Sequence, residues 1–291
     1  MTGTKVVKLK LDGGGAERLP HLKEGKIKQA LELFDSVEYL KGSVNYQTNF
    51  DYEGYYRKVL EGAEMINASE SEVQGILVAL EAKRSEIDWF DSHVGTFITA
   101  MMQGSKTQEF TLKPKYSLHS IGDYLQGDKK ITVFGDMGTI GRKITGGELI
   151  IKGNVFDFSG ERMTGGKLII DGFAGGDLGK EMGGGLIEAA EVRGRLLGCY
   201  MWGGTIRIKG DAGDEIGANM SKGEIYVGGN AGDKLGDEMR GGKIVVEGEA
   251  GHKVGDWATG GQIIVGKKIK SLGAVYSQCE VIVAGEKVAP K

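Results

Sequence analysis

Four histidines, two cysteines and a set of in-phase aspartates are the residues whose types could do chemistry in this chain. His21, His93, His119 and His252 stand far apart, and none falls in an HxxxH or HExxH spacing that would bring two imidazoles to one metal. Each is expected to be a surface or satisfied core group. Cys199 and Cys279 are too few for a disulfide framework or for an iron–sulfur cluster held by this chain alone. A nucleophilic role for either needs an activating neighbour. No GxSxG, phosphate-loop or CxxC motif occurs. Asp157, Asp214 and Asp233 share one column of a repeat, and His252 continues it. A ladder of carboxylates is a cation-binding arrangement, and calcium solenoids use one, but their period is nine. It is equally a solvated edge or a row of corner hydrogen bonds, and the longer period here favours that structural reading. No catalytic, cofactor-binding or metal-binding residue is assigned.

The element that must position these residues is the repeat itself. Gly-Gly pairs fall at Gly146-Gly147, Gly165-Gly166, Gly184-Gly185, Gly203-Gly204, Gly241-Gly242 and Gly260-Gly261, with Lys222-Gly223 at the remaining position. The period is nineteen throughout. Gly141, Gly160, Gly179, Gly198, Gly217, Gly236 and Gly255 form a second column of the same period. Met163, Met182, Met201, Met220 and Met239 form a third, flanked by Ile144 and Ala258. Three columns in phase signal a solenoid.

After each Gly-Gly comes a short β-branched run, such as Thr205-Ile206-Arg207-Ile208-Lys209 or Lys243-Ile244-Val245-Val246-Glu247. Such runs, bounded by Gly, read as strands. Ile206 and Ile208, or Ile244 and Val246, share one face. What remains of each unit is too short for a crossover helix, so the turn of a solenoid must link one parallel strand to the next. The fold class expected is mainly β: a right-handed parallel β-helix of seven or eight such coils, about 35 Å long at ~4.8 Å per coil. The paired glycines are its turn residues, since sharp corners call for positive φ. The methionines fill an interior column. Glu191 stands where other units place Gly, which implies a local change of corner geometry. The segment 267–274 loosens the pattern and begins a cap, and what precedes residue 131 should cover the other end.

Residues 1–130 hold 13 of the 51 glycines and read differently. Lys5–Leu11 alternates as a strand would, and helical spacing follows over Leu22–Leu40, Asp51–Ile66 and Ile87–Met102. Ser69 and Glu72 make a capping-box signature ahead of Val73, Ile76, Leu77 and Leu80. The apolar run from Ile87 to Met102, with Trp89, Phe90 and Phe97, reads as buried core ahead of a docking face. The domains expected are a mostly helical region, 1–120, and a β-helix, 121–291.

Composition excludes several classes. A formal net charge of −3 is no footprint for nucleic acid or an anionic membrane. No apolar run is long enough to span a membrane, and the start of the chain has no signal-peptide core, so a cytoplasmic protein is expected. With 51 glycines but 3 prolines and 40% hydrophobic residues, the chain is neither collagen-like nor disordered.

The series M-T-G-G-K-L-I-I (163–170), M-W-G-G-T-I-R-I (201–208) and M-R-G-G-K-I-V-V (239–246), with G-D-A-G (210–213) and G-N-A-G (229–232), resembles the GXGXG β-helix family over residues 122–285. The unit, and the lead-in Ile121-Gly122-Asp123-Tyr124 followed by 131–136, is most similar to the β-helix subunit of formylmethanofuran dehydrogenase or of the formyltransferase/hydrolase complex. It is less similar to the C-terminal domain of the glutamate synthase large subunit. The helical stretch ahead of the coils is longer than in the formylmethanofuran-type proteins. The resemblance implies a non-catalytic scaffold, binding no cofactor itself, in a one-carbon-transfer complex. The implied partners are amidohydrolase-like and pterin-enzyme-like subunits, which bring zinc and a molybdopterin-type cofactor. The alternatives are a glutamate-synthase-type amidotransferase/FMN scaffold and a free-standing β-helix enzyme.

Overall fold

The computed structural model describes residues 24–38, 52–87, 90–276 and 278–289. The expected strand at Lys5–Leu11, with His21 and Trp89, lies outside these residues. Among the described residues four α-helices come first: α1 (Glu24–Glu38), α2 (Tyr52–Ile66), α3 (Glu70–Ala82) and α4 (Phe90–Gln103). Eleven strands follow: β1 (Glu109–Leu112), β2 (Lys130–Phe134), β3 (Glu148–Lys152), β4 (Thr164–Ala174), β5 (Gly183–Val192), β6 (Trp202–Ile208), β7 (Lys222–Val227), β8 (Arg240–Val246), β9 (Gly260–Val265), β10 (Cys279–Val283) and β11 (Glu286–Ala289).

All eleven lie in one sheet in sequence order. Every pairing from β1 to β10 is parallel, and β11 folds back antiparallel on β10. The chain is thus a parallel β-solenoid of about nine turns, led by a helical region, and some 43 Å long at ~4.8 Å per turn. The turns outnumber the seven or eight expected because the outermost ones break the period. Glu109 pairs with Lys130, and Lys130 with Glu148, so the first step is longer than the repeat and the second shorter. From Glu148 to Gln262 every rung keeps the period, through Lys167, Leu186, Thr205, Glu224 and Lys243. The last step, from Gln262 to Glu280, falls one short of it.

The coil interior is apolar. Within each strand the two inward side chains are buried, as with Ile206 and Ile208 or Ile244 and Val246. The methionine column, with Ile144 and Ala258, is fully buried. Single bridges such as Met137↔Val155 and Ala212↔Ala231 also stitch successive coils outside the strands.

The two glycines of each pair do different work. Gly166 takes φ +67°, in the left-handed region, whereas a Cβ on Gly165 would run into the carbonyl oxygen of Thr145 on the coil beneath. The same division holds for the other pairs. Gly147, Gly185, Gly204, Gly242 and Gly261 have positive φ, while Gly146, Gly184, Gly203, Gly241 and Gly260 face backbone atoms of the preceding coil. Two further left-handed columns carry ordinary side chains, one running Tyr124, Lys143, Arg162 and Glu181 and the other Phe158, Asp177, Leu196 and Glu215.

Glu191 marks a register slip. Ile169 pairs with Glu188, one full period on, but Phe173 pairs with Glu191, one short of a period. Val192 then bridges Ala212, one more than a period. One residue is lost at the corner and regained within the same coil. The Arg193 guanidinium lies 4.1 Å from the Phe173 ring centre at this point.

The helices cover the first rung. Glu72 Oε2 accepts the Ser69 N–H at 2.7 Å and the Ser69 hydroxyl at 2.8 Å, which anchors the start of α3 as the sequence signature implies. α4 is buried along most of its length, including Phe97, Ile98, Met101 and Met102, and packs edge-on to Phe34 of α1. The Thr99 hydroxyl on α4 accepts the Gly122 N–H at 2.9 Å, where the first full coil begins. Helices and coils share one continuous hydrophobic core. At the far end the β10–β11 hairpin turns through Ala284 and Gly285, both at positive φ, and covers the last rung.

Candidate functional site

The aspartate column is a row of corner hydrogen bonds. Asp157 Oδ1 accepts the Gly176 N–H at 2.6 Å, Asp214 Oδ1 the Asp233 N–H at 2.8 Å, and Asp233 Oδ1 the His252 N–H at 2.7 Å. Each bond runs one coil upward along the rod. A second column repeats the device: Asp211 Oδ1 takes the Asn230 N–H at 2.6 Å, and Asn230 Oδ1 the Glu249 N–H at 3.0 Å. The glycine of the coil above makes room for each, since a Cβ on Gly232 would overlap Asp214 Oδ1 and one on Gly251 would overlap Asp233 Oδ1. These carboxylates therefore complete backbone donors at corners where no strand pairing reaches.

The histidines are spread over the fold. His93 lies buried in α4, edge-on to Tyr55 at 5.7 Å between ring centres. His119 Nδ1 accepts the Thr139 N–H at 3.0 Å, which leaves Nε2 to carry the proton of the neutral ring. His252 Nδ1 stands 3.4 Å from the Ser271 hydroxyl. Among the described residues no three His, Cys, Asp or Glu side chains converge as metal ligands, and no helix is long and apolar enough to cross a membrane.

Both thiols are buried, and burial pushes each of them up to about 11. Neither is a thiolate at neutral pH, and thiolate is the nucleophilic form.

A polar cluster that the sequence motifs do not announce is built on Asp123, within the lead-in Ile121-Gly122-Asp123-Tyr124. Asp123 is buried at the junction of helices and coils, and burial pushes its carboxyl above the ordinary Asp value against the pull of Arg142. Arg142 gives it three donors: Nε at 2.8 Å and Nη2 at 2.6 Å to Oδ2, and the backbone N–H at 2.8 Å to Oδ1. The same guanidinium reaches the Ser120 hydroxyl at 3.0 Å. It lines a hollow of about 220 Å³ with Ser92, His119, Thr139, Phe158 and Glu161. Its charge is committed to Asp123. A signal is present in the sequence, for Asp123 and Arg142 are one period apart. Opposite charges one period apart also meet at Arg162–Glu181 and at Lys152–Asp171, at 2.8 and 2.7 Å.

Buried Lys129 is a second unanticipated element. Its Nζ donates to the carbonyls of Ser105 and Thr107, the latter at 2.6 Å, and so ties the α4–β1 connection to β2. Burial lowers its ammonium below the ordinary Lys value. A shallow groove of about 370 Å³ runs over the outer sheet face past Glu188, Arg207, Tyr226 and Glu247. Tyr200, Trp202, Trp257 and Tyr276 stand exposed along one corner of the rod.

No family model and no curated protein matches the chain.

Proposed function

We propose that this chain is a non-catalytic scaffold: a stiff rod that holds enzyme subunits in a fixed relation. The observation that carries the reading is the use made of the aspartate column. Asp157, Asp214 and Asp233 each commit an oxygen to a backbone N–H of the coil above, so the one set of residues that favoured catalysis along the rod serves its stacking. The buried, protonated thiols and the committed Arg142 point the same way. Stacked coils that contact only their neighbours make an extended support with broad faces.

Within this reading, the repeat resemblance favours a formylmethanofuran dehydrogenase-like or formyltransferase/hydrolase-like complex working in the cytoplasm. Chemistry there would lie with an amidohydrolase-like zinc subunit and a pterin-enzyme-like subunit. Native affinity purification of the chain from its source, with mass spectrometry of the bound proteins, tests the assignment. Recovery of those two subunits in stoichiometric amounts is expected. An amidotransferase with an FMN synthase subunit would move the chain to the glutamate synthase class, and recovery of the chain alone would overturn the scaffold reading.

A further inference from the structure

The outer face of the sheet carries charges in a two-fold pattern, some of them already engaged within the chain: Lys152 with Asp171 at 2.7 Å, Glu148 with Lys130 at 3.9 Å, and Glu224 with the Tyr226 hydroxyl at 2.7 Å. Its central outward column reads Ile150, Ile169, Glu188, Arg207, Tyr226 and Val245 from β3 to β8. β5 and β6 are the fifth and sixth of the ten parallel rungs, so the step from Glu188 to Arg207 is the midpoint of the face. Arg207 lies over the Tyr226 ring at 5.5 Å, and Glu188 has neither an ion pair nor a hydrogen bond among the described residues.

We propose that this face is a self-complementary interface on which two copies of the chain stack sheet against sheet. The two-fold axis runs between the sheets, parallel to the strands, over the step from β5 to β6. It turns one rod end for end and keeps the strands parallel. Rung five then faces rung six, rung four faces seven, and rung three faces eight. Glu188 meets Arg207 of the other copy. In the neighbouring outward column Lys167 meets Glu224 and Glu148 meets Lys243. On the other side Lys152, one residue past Ile151, meets Glu247, one past Val246. Ile169 lies against Tyr226 and Ile150 against Val245. Symmetry doubles every pair.

The charges select this axis over its neighbours. Centred on β5 instead, Glu148 would face Glu224 and Lys130 would face Lys243. Centred on β6, Lys167 would face Lys243 and Asp171 would face Glu247. In the chosen register the one like-charged pair in these three columns is Glu109 with Glu280, at the ends of the rods. There Glu280 is already engaged by Gln262 at 2.7 Å and Lys287 at 3.5 Å. Ten rungs at ~4.8 Å and a strand of five at ~3.3 Å per residue give a face of about 800 Å² per copy. The total, about 1,600 Å², is the size of an ordinary specific interface. Charge complementarity of this kind fixes register and excludes wrong alignments.

Sedimentation equilibrium of the full chain tests the proposal independently of the scaffold reading, which stands or falls on other subunits. A species of twice the 31.1 kDa chain mass is expected. Glu188→Arg and Arg207→Glu should each weaken dimerisation at least tenfold, since like charges then face each other twice. The double variant E188R/R207E should restore it. Should a single reversal fail to fold, K167E with E224K repeats the exchange at the adjacent pair. A monomeric wild-type chain, a dimer indifferent to both reversals, or an exchange that restores nothing would each overturn the proposal.

Discussion

Glu70 on α3 holds the backbone N–H of Thr111 on β1 at 2.8 Å. Two further side chains of the helix continue the contact: Gln74 Oε1 takes the Lys113 N–H at 3.0 Å and Glu81 Oε1 the Lys115 N–H at 2.6 Å. Thr111, Lys113 and Lys115 are alternate residues, so their donors point the same way, off the open edge of the first rung. Helix side chains thus complete the donors that the next rung of a longer solenoid would take. An uncovered edge is a template for pairing with another chain.

Replacing Glu70 and Gln74 together by Ala exposes two of these donors. The expected cost is about 0.5–1.5 kcal/mol per bond, with concentration-dependent association through β1. Urea unfolding and light scattering measure the two effects. A variant that unfolds like the wild type and stays as dispersed would show that the edge needs no cover.

Acid should loosen the start of α3. Burial pushes the Glu72 carboxyl up, but the Ser69 N–H, the Ser69 hydroxyl and Lys26 together hold it below its ordinary value of 4.5. A carboxyl with a lowered native value binds fewer protons folded than unfolded, so it contributes stability above pH 4.5 that is lost as pH falls through the native value. Glu72→Gln should be less stable than wild type at neutral pH, and the difference should shrink on acidification. Urea titrations across that range check it; a constant difference would contradict it.

The glycine division predicts unequal costs. Gly141 has φ +67° and only side-chain neighbours, at 3.1 Å or more, so the penalty of Gly141→Ala is chiefly the left-handed conformation, about 1–2 kcal/mol. Gly165→Ala forces a methyl against the Thr145 carbonyl, and the coil must shift. It should be the more destabilising of the two in thermal unfolding, although φ at position 165 is not left-handed.

Cys199 and Cys279 should react with a thiol reagent only when the chain unfolds, since both are buried with pKa values pushed up to about 11. Mass-resolved labelling at neutral pH, native against denatured, reads this directly. Rapid labelling of either in the folded chain would reopen a chemical role for it.

The coil is legible in the sequence because its determinants are local and repeat. Glycines at fixed spacing mark the corners, and β-branched residues mark the strands between. The features that escape are those set by neighbours in space. The left-handed positions at Phe158, Asp177 and Leu196 have no common residue type; what they share is a backbone N–H bonded to the coil above, to the carbonyls of Gly176, Arg195 and Asp214 at 3.0, 2.8 and 3.0 Å. The first and last turns are hidden because their steps, Glu109 to Lys130 to Glu148 and Gln262 to Glu280, fall out of phase. The slip at Glu191 cancels within one coil and leaves the flanking glycine columns in phase, so its one sign in the sequence is the glycine missing from that corner. Asp123–Arg142 is readable from the period once charge pairs one period apart are sought.

The central claim is that the rod supports catalysis without taking part in it. The direct measurement is turnover per assembled complex with D157N, D214N and D233N introduced together. Asparagine keeps the Oδ1 acceptor of each corner bond and removes the charge. Unchanged turnover with unchanged assembly is the predicted result. A large loss of turnover in a complex that still assembles would contradict it and return the carboxylate column to catalysis.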